Sequence, residues 1–414
     1  MTLKQKVQKV LGVGVTEALV KMRKQTMWFK AFFNGNVNKL VFADERPFKV
    51  YHKRDKNVFF GYYDLQQYDS SGTRILAHVV DKNANPKSDT AMIAWIDVLS
   101  GDFHEITNTR AWCWQQGARL RWNPLTDDEV MYNSLDDGRY ITKVCNISTG
   151  EERLLSSRAL YDVDSTLVHG LSLNFARLQR LRPGYGYSAI QDETMNDIAP
   201  QDDGIFLMDL KSGGEKLLFS LADLAKDVSD EGMHYINHIC ISPNGNKFTF
   251  FHIWTRGADF PLKMRFYAAN IDGTGLILLE ETMRISHYSW INNEKMLATT
   301  ADGKYIIYDV STAQMEIIES QYLCRDGHPS ILDNGFVTDT YPTKKDYFQY
   351  VFRIGFNGEQ YKEILHLFAD PRRYGEHRCD LHPRVTKTGK ITIDTTYMNG
   401  VRSILAFDLE QNEM

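Results

Sequence analysis

Five cysteines in 414 residues (Cys113, Cys145, Cys240, Cys324 and Cys379) are an odd number with no CxxC spacing. This excludes a disulfide framework and a zinc ribbon, and fits a reducing compartment with free, mostly buried thiols. No run approaches the roughly 20 apolar residues needed to span a bilayer. The apolar stretch Leu11 to Val20 is interrupted by Glu17, and no small-residue cleavage site follows it. A cytoplasmic location is therefore expected. The formal net charge of −5 lacks the basic excess of a general nucleic-acid binder. There is no GxxxxGKS or GxGxxG phosphate loop, no GxSxG elbow and no HExxH helix.

What is present favours strands. Hydrophobic residues make up 43% of the chain and aromatics 12%, and Tyr, Phe and Trp fit a pleated, half-buried surface. The first 40 residues differ from the rest. They carry Lys4, Lys6, Lys9, Lys21, Arg23, Lys24, Lys30 and Lys39 against Glu17 alone. Leu3, Val7, Val10, Leu11, Leu19 and Met22 could share one helical face. A basic amphipathic helix of this kind either lies on an anionic membrane at its inner face or packs on the body of the protein.

The organisation of the chain is set by a repeat. A short apolar strand ends in an acidic or amide residue and a glycine turn. The landmark appears as Ile96-Asp97, Cys145-Asn146, Met208-Asp209, Ile271-Asp272, Tyr308-Asp309, Arg353-Ile354 and Phe407-Asp408, with Ala313 replacing the glycine in the fifth. Between landmarks stand polar turns such as Asp69-Ser70-Ser71-Gly72, Ser242-Pro243-Asn244-Gly245 and Thr386-Lys387-Thr388-Gly389. Four strands and two turns, seven times over, predict an all-β, seven-bladed β-propeller with a short N-terminal helical extension. The rival counts are six and eight blades. The expected division is an extension over 1–45 and a propeller over 46–414, with insertions at Pro183 to Asp202 and Thr255 to Pro261. No helix-length periodic segment is expected after residue 45.

Four blade openings place a histidine at one relative position: His238, His287, His328 and His382. The inner strand of a blade runs along the central channel, so equivalent positions in successive blades meet at the axis. Three or four imidazoles so placed suit a divalent metal such as Mn²⁺ or Zn²⁺. The plainer alternative is that each histidine hydrogen-bonds a neighbouring strand. Tyr62-Tyr63-Asp64 opens the first blade, and Trp114 to Gly117 with Arg119 opens the second. The stretch Leu171 to Tyr187 holds Arg177, Arg180 and Arg182 beside Tyr185 and Tyr187. Guanidinium forks bind carboxylates, and tyrosines stack on sugars or donate protons, which points to an acidic sugar. Alternatively the arginines pair with Asp192, Glu193, Asp202 and Asp203 of the same insertion.

The segments His238 to Phe250 (HICISPNGNKFTF), Ser286 to Trp290 (SHYSW), Gly327 to Ser330 (GHPS) and Asp380 to Pro383 (DLHP) resemble oligogalacturonate lyases. These are TolB-like seven-bladed propellers, with the propeller ulvan lyases more distant. The first half of the chain resembles propellers associated with bacterial surface-polysaccharide genes. The resemblance implies a divalent metal, usually manganese, held by histidines of successive blades and binding a uronate carboxylate. It makes His287, His328 and His382 ligands, and His238 a ligand or a substrate contact. The family also uses a glutamine close to one histidine. Here Gln321 lies seven positions before His328, so Cys324, Asp326, Cys379 or Asp380 would take its place, and a cysteine would favour zinc.

The expected function is a metal-dependent lyase on an acidic oligosaccharide or polysaccharide, acting by β-elimination. Arg177, Arg180, Arg182, Gln116 and Arg119 are the expected substrate contacts. His238 or Tyr185 is the expected base and Tyr63 the acid. The alternative is a non-catalytic propeller that binds glycan or scaffolds a polysaccharide-synthesising complex.

Overall fold

The landmarks found in the sequence mark the third strand of each of seven antiparallel sheets, either closing it or falling within two residues of its end. The local cause is an Asx turn. Asp97, Asn146, Asp209 and Asp309 each accept two backbone N–H groups from the turn that follows, through one side-chain oxygen. Glycine follows in the left-handed region, as at Gly101 (φ +80°), Gly150 (+73°) and Gly213 (+74°). In the fifth blade Ala313 adopts the same conformation, φ +58°.

A computed structural model describes residues 13–229, 231–257, 260–343, 345–410 and 413. The sheets follow one another as blades over 56–109, 121–156, 160–220, 233–280, 285–317, 330–368 and 384–408. The last blade brings only three strands of its own. Strand β2 (Phe48–Tyr51) supplies the fourth by pairing with Ser403–Asp408, which joins the beginning of the chain to its end and closes the ring. Strand β1 (Leu40–Phe42) adds a fifth strand to the sixth blade, against Lys362–Phe368. Residues 40–42 thus belong to the propeller although they precede position 46. A buried Arg46–Glu413 pair at 2.8 Å ties down the same corner.

Helix α1 (Val13–Phe33) lies on the sixth blade. Ala31 packs with Phe348 and Phe368, and Trp28 joins them with the Arg372 guanidinium 4.4 Å from its ring. Leu3, Val7, Val10 and Leu11, expected to share a helical face with Leu19 and Met22, fall outside the described residues. Among the described residues two short α-helices follow residue 45, both below the length of a periodic segment. These are α2 (Phe175–Leu181), capped by the Asn174 side chain, and α3 (Leu221–Ala225), capped by Ser220. Phe175, Leu178 and Leu181 do recur at helical spacing, over too few turns to stand out from a strand pattern.

Blades are locked to each other by polar side chains on their second strands. His78 Nε2 accepts from Ala118 N of the second blade, and burial pulls this imidazole down to about 4, so it stays neutral and able to accept. Asn133 accepts from Leu160 N and donates to Leu160 O of the third blade. The Thr299 hydroxyl reaches the Gly327 carbonyl of the sixth. Asp339 accepts from His382 N of the seventh, and Asp394 accepts from Phe60 N and Gly61 N of the first. Each bond satisfies a backbone group that the inner strand would otherwise leave buried and unpaired.

The left-handed alanine gives a direct test. Ala313→Gly relieves a conformation that costs an L-residue about 1 kcal/mol, so urea unfolding is expected to show a gain of that order. A loss of stability would mean that the turn is not strained.

Candidate metal centre and its surroundings

The ends of the inner strands converge as the repeat requires. The rings of His287 and His328 are 3.9 Å apart, those of His328 and His382 4.4 Å, and those of His238 and His287 6.0 Å. All four side chains are buried. Two reach the axis from left-handed backbone, His238 at φ +52° and His382 at φ +48°, as does Arg119 of the second blade at φ +52°. A bulge in the fourth blade, between Asn237 and Cys240, accompanies the first of these. Such conformations cost about 1–3 kcal/mol each and persist only where the surroundings enforce them.

Three of the histidines are tied back through Nδ1. His328 Nδ1 lies 2.8 Å from Asp339 Oδ1, His287 Nδ1 3.2 Å from Asp326 Oδ1, and His382 Nδ1 2.7 Å from the Gly61 carbonyl. Metal-binding histidines are held in this way, since a fixed Nδ1–H leaves the Nε2 lone pair aimed at the ion. The Nε2 atoms of His328 and His382 are buried and, among the described residues, have no hydrogen-bond partner. His328, His382 and Asp380 can each offer one ligand atom such that the three lie within 4.8 Å of one another. Two imidazoles, a carboxylate and a third imidazole close by form a donor set suited to Mn²⁺ or Zn²⁺.

The electrostatics are those of a site prepared for positive charge. Asp326 is held down to about 2: burial opposes ionisation, but His287 and the Ser286 hydroxyl outweigh it. Asp380 is lowered too, by the Arg378 guanidinium that grips it at 2.6 and 2.7 Å despite its burial. Burial would lower His328, yet Asp339 beside it raises its pKa above the ordinary value. His382 and His238 are pushed well below theirs, chiefly by burial.

His238 differs from the others. Its Nε2 meets the hydroxyl of Tyr62, whose ring sits 4.9 Å from His382 and 6.4 Å from both His287 and His328. On the mouth side stand Tyr185 and Tyr341, with Arg182 and Arg378 each 5.0 Å over one of these rings. Arg284 is lowered by burial and by the nearby charge of Arg182. Among the described residues neither Arg182 nor Arg284 has an ion-pair partner. Beyond the histidines the channel is plugged. The Tyr63 hydroxyl donates to Tyr288 O and accepts from Tyr288 N, and the buried Arg119 grips Asp64 with two bonds. A separate cavity of about 920 Å³ opens at the opposite end, among the turns between first and second strands.

Several expected site residues are placed elsewhere. Arg177 lies in the body of the insertion, where it donates to the carbonyls of His234, Thr194, Asp197 and Ile198. Arg180 pairs with Asp192 at 2.7 Å, the alternative considered from the sequence. Arg119 is held by Asp64 and the Tyr161 carbonyl, and Gln116 donates to the Tyr161 hydroxyl. These four side chains are engaged by other groups of the protein, whereas Arg182 has no ion-pair partner among the described residues. Tyr63 has its hydroxyl engaged twice by the Tyr288 backbone, and burial pushes its pKa well above the ordinary value. Burial pushes the Cys379 thiol up to about 12 and Cys324 is exposed, and neither belongs to the His328, Asp380 and His382 group. The sequence marks Asp326 only as a possible ligand and Tyr62 only as part of a blade opening, while Asp339, Arg284 and Tyr341 are not singled out. Their roles arise from contacts between blades, which no local spacing encodes.

The two kinds of arginine separate in a stability measurement. Arg177→Ala leaves several buried carbonyls unpaired and is expected to cost about 3 kcal/mol or more. Arg182→Ala is expected to stay within about 0.5 kcal/mol of the parent. Thermal unfolding of the pair checks this, and equal losses would contradict the division.

No family model matches the sequence, and no curated protein is significantly similar to it. Solved structures do share its architecture. An oligogalacturonate lyase in complex with manganese superposes with a TM-score of 0.63 at 14% identity, covering 90% of this chain and 98% of that one. The oligogalacturonate lyase of Vibrio parahaemolyticus gives 0.63 at 10% identity, covering 91% and 99%. The tricorn protease gives 0.54 at 10% identity, over 87% of this chain and 35% of that one. The chain therefore has the seven-bladed propeller fold seen in the oligogalacturonate lyase structures.

Proposed function

We propose that the protein is a divalent-metal-dependent lyase that cleaves uronate-containing oligosaccharides by β-elimination. The observation that carries this reading is the pair of buried Nε2 atoms on His328 and His382, without a hydrogen-bond partner among the described residues, each ring fixed through Nδ1 and grouped with Asp380. The similarity of fold to oligogalacturonate lyases, one of them a manganese complex, supports it. His328, His382 and Asp380 would hold the metal, with His287 beside them. A bound cation would withdraw charge from a uronate carboxylate and make the C5 proton more acidic.

The chain's own groups supply the rest. Arg182 and Arg284 offer uncommitted guanidinium forks at the mouth, fit for the carboxylates of an acidic chain. His238 is kept neutral by burial and can take up a proton, with the Tyr62 hydroxyl against its Nε2 as the relay. Removal of the C5 proton leaves an electron pair that forms the C4–C5 double bond as the C4–O bond breaks. The Tyr185 hydroxyl, which among the described residues has no hydrogen-bond partner, donates a proton to the departing oxygen.

One observation favours a second reading, a non-catalytic propeller. Tyr62 occupies the middle of the histidines, so a substrate reaches them only if this ring moves aside. The two readings part on one experiment. Protein purified without added metal is expected to carry stoichiometric manganese or zinc by mass spectrometry. The metal should be lost in both His328→Ala and His382→Ala. The metal-loaded protein should convert uronate oligomers to products with the ultraviolet absorbance of an unsaturated uronate, and carboxyl-reduced oligomers should be inert. Absence of metal before and after its addition would leave the histidines as structural groups and the second reading in place.

A further inference from the structure

We infer that helix α1 binds the surface of an anionic phospholipid membrane and holds the mouth of the channel against it. The inference stands apart from the proposed reaction. Val15, Leu19, Met22, Thr26, Phe29 and Phe33 follow one another at spacings of four and three, which places them on one stripe of the helix. The stripe faces away from the sixth blade, on which Ala31 and Trp28 of the opposite side are seated. Its apolar members are exposed, from Leu19 at 43% to Met22 at 65% and Phe33 at 82%. Side chains of this size left in water over five turns imply a partner.

Charge decides which partner. The first 40 residues carry eight basic side chains and one acidic, while the whole chain carries 48 and 53, so the remaining 374 residues are acidic by 12. The basic charge is thus segregated to the segment that bears the apolar stripe. Arg23 and Lys30 flank the stripe on one side, and Lys21 stands toward the other. If two copies paired along this seam, the flanking positions would bring cation against cation, with Ala18, Gln25 and Phe32 on the other flank offering no carboxylate. Anionic headgroups complement the same pattern. Among the described residues no helix is long and apolar enough to cross a membrane, so the helix lies along the surface.

The position of the helix gives the contact a consequence. Met27 Sδ meets the Tyr347 hydroxyl at 2.7 Å, and Arg372 stacks on Trp28. Tyr347 belongs to a loop at the mouth. Arg372 lies in the 369–383 connection that continues to Arg378, Asp380 and His382. A helix seated on a bilayer therefore keeps the loops that border the mouth close to that surface.

The test is co-sedimentation of the full chain with phosphatidylcholine vesicles, with and without phosphatidylglycerol. Binding is expected to be about tenfold or more stronger with phosphatidylglycerol, and to weaken at high salt. Phe29→Asp/Phe33→Asp and Arg23→Glu/Lys30→Glu should each weaken it about tenfold or more at an unchanged melting temperature. Met22→Asp replaces any double variant that melts early. No binding, binding indifferent to phosphatidylglycerol, or binding unaffected by the variants would overturn the inference. A dimer seen by ultracentrifugation and broken by Phe29→Asp/Phe33→Asp, without vesicle binding, would assign the stripe to a second copy instead.

Discussion

A seven-bladed ring can place side chains at its axis only if neighbouring blades keep a fixed rotation, and here one buried carboxylate sets that rotation where the chemistry lies. Asp339 ends the second strand of the sixth blade with no exposed surface. It accepts from the backbone N–H of His328, from the imidazole of the same residue and from the backbone N–H of His382 in the next blade. Two candidate ligands from different blades are thus referred to one group. Asp394 repeats the device one blade on, binding Phe60 N and Gly61 N while Gly61 O holds the His382 ring. The second-strand latches and the closing strand Phe48–Tyr51 are parts of one constraint, since slack at any blade junction would separate the histidines.

The legible part of the fold was the part written locally. The seven landmarks stand out because an Asx turn needs its Asp or Asn and its left-handed residue at fixed offsets. Ala313 fits the pattern even without glycine because it still takes the glycine conformation. The histidines were readable for a related reason: a repeat converts equal sequence position into spatial proximity. In the sequence the arginines of the insertion have two alternatives, because no repeat constrains them. Arg177 and Arg180 share a helix with Arg182's cap position, and only the packing of α2 on the fourth blade decides that two turn inward as struts. Asp339 carries no signal in the sequence beyond being acidic, and Asp326 none beyond its nearness to His328, since the roles they take exist only between blades.

The site combines rigidity with a closed centre. Positive φ at His238 and His382, buried carboxylates and saturated backbone groups hold the histidines in place. Tyr62 fills the centre, its hydroxyl in contact with an imidazole rather than a backbone group. The latches fix the geometry of the candidate ligands, and one aromatic ring stands between them.

The central claim is that Asp339 orients His328 and His382 toward a shared cation. Calorimetric titration of Mn²⁺ into the metal-free protein and into Asp339→Asn tests it most directly, because the amide keeps the size of the side chain while losing its charge. The account predicts a folded variant with about 10–100-fold weaker affinity. Equal affinity in the two proteins would contradict it.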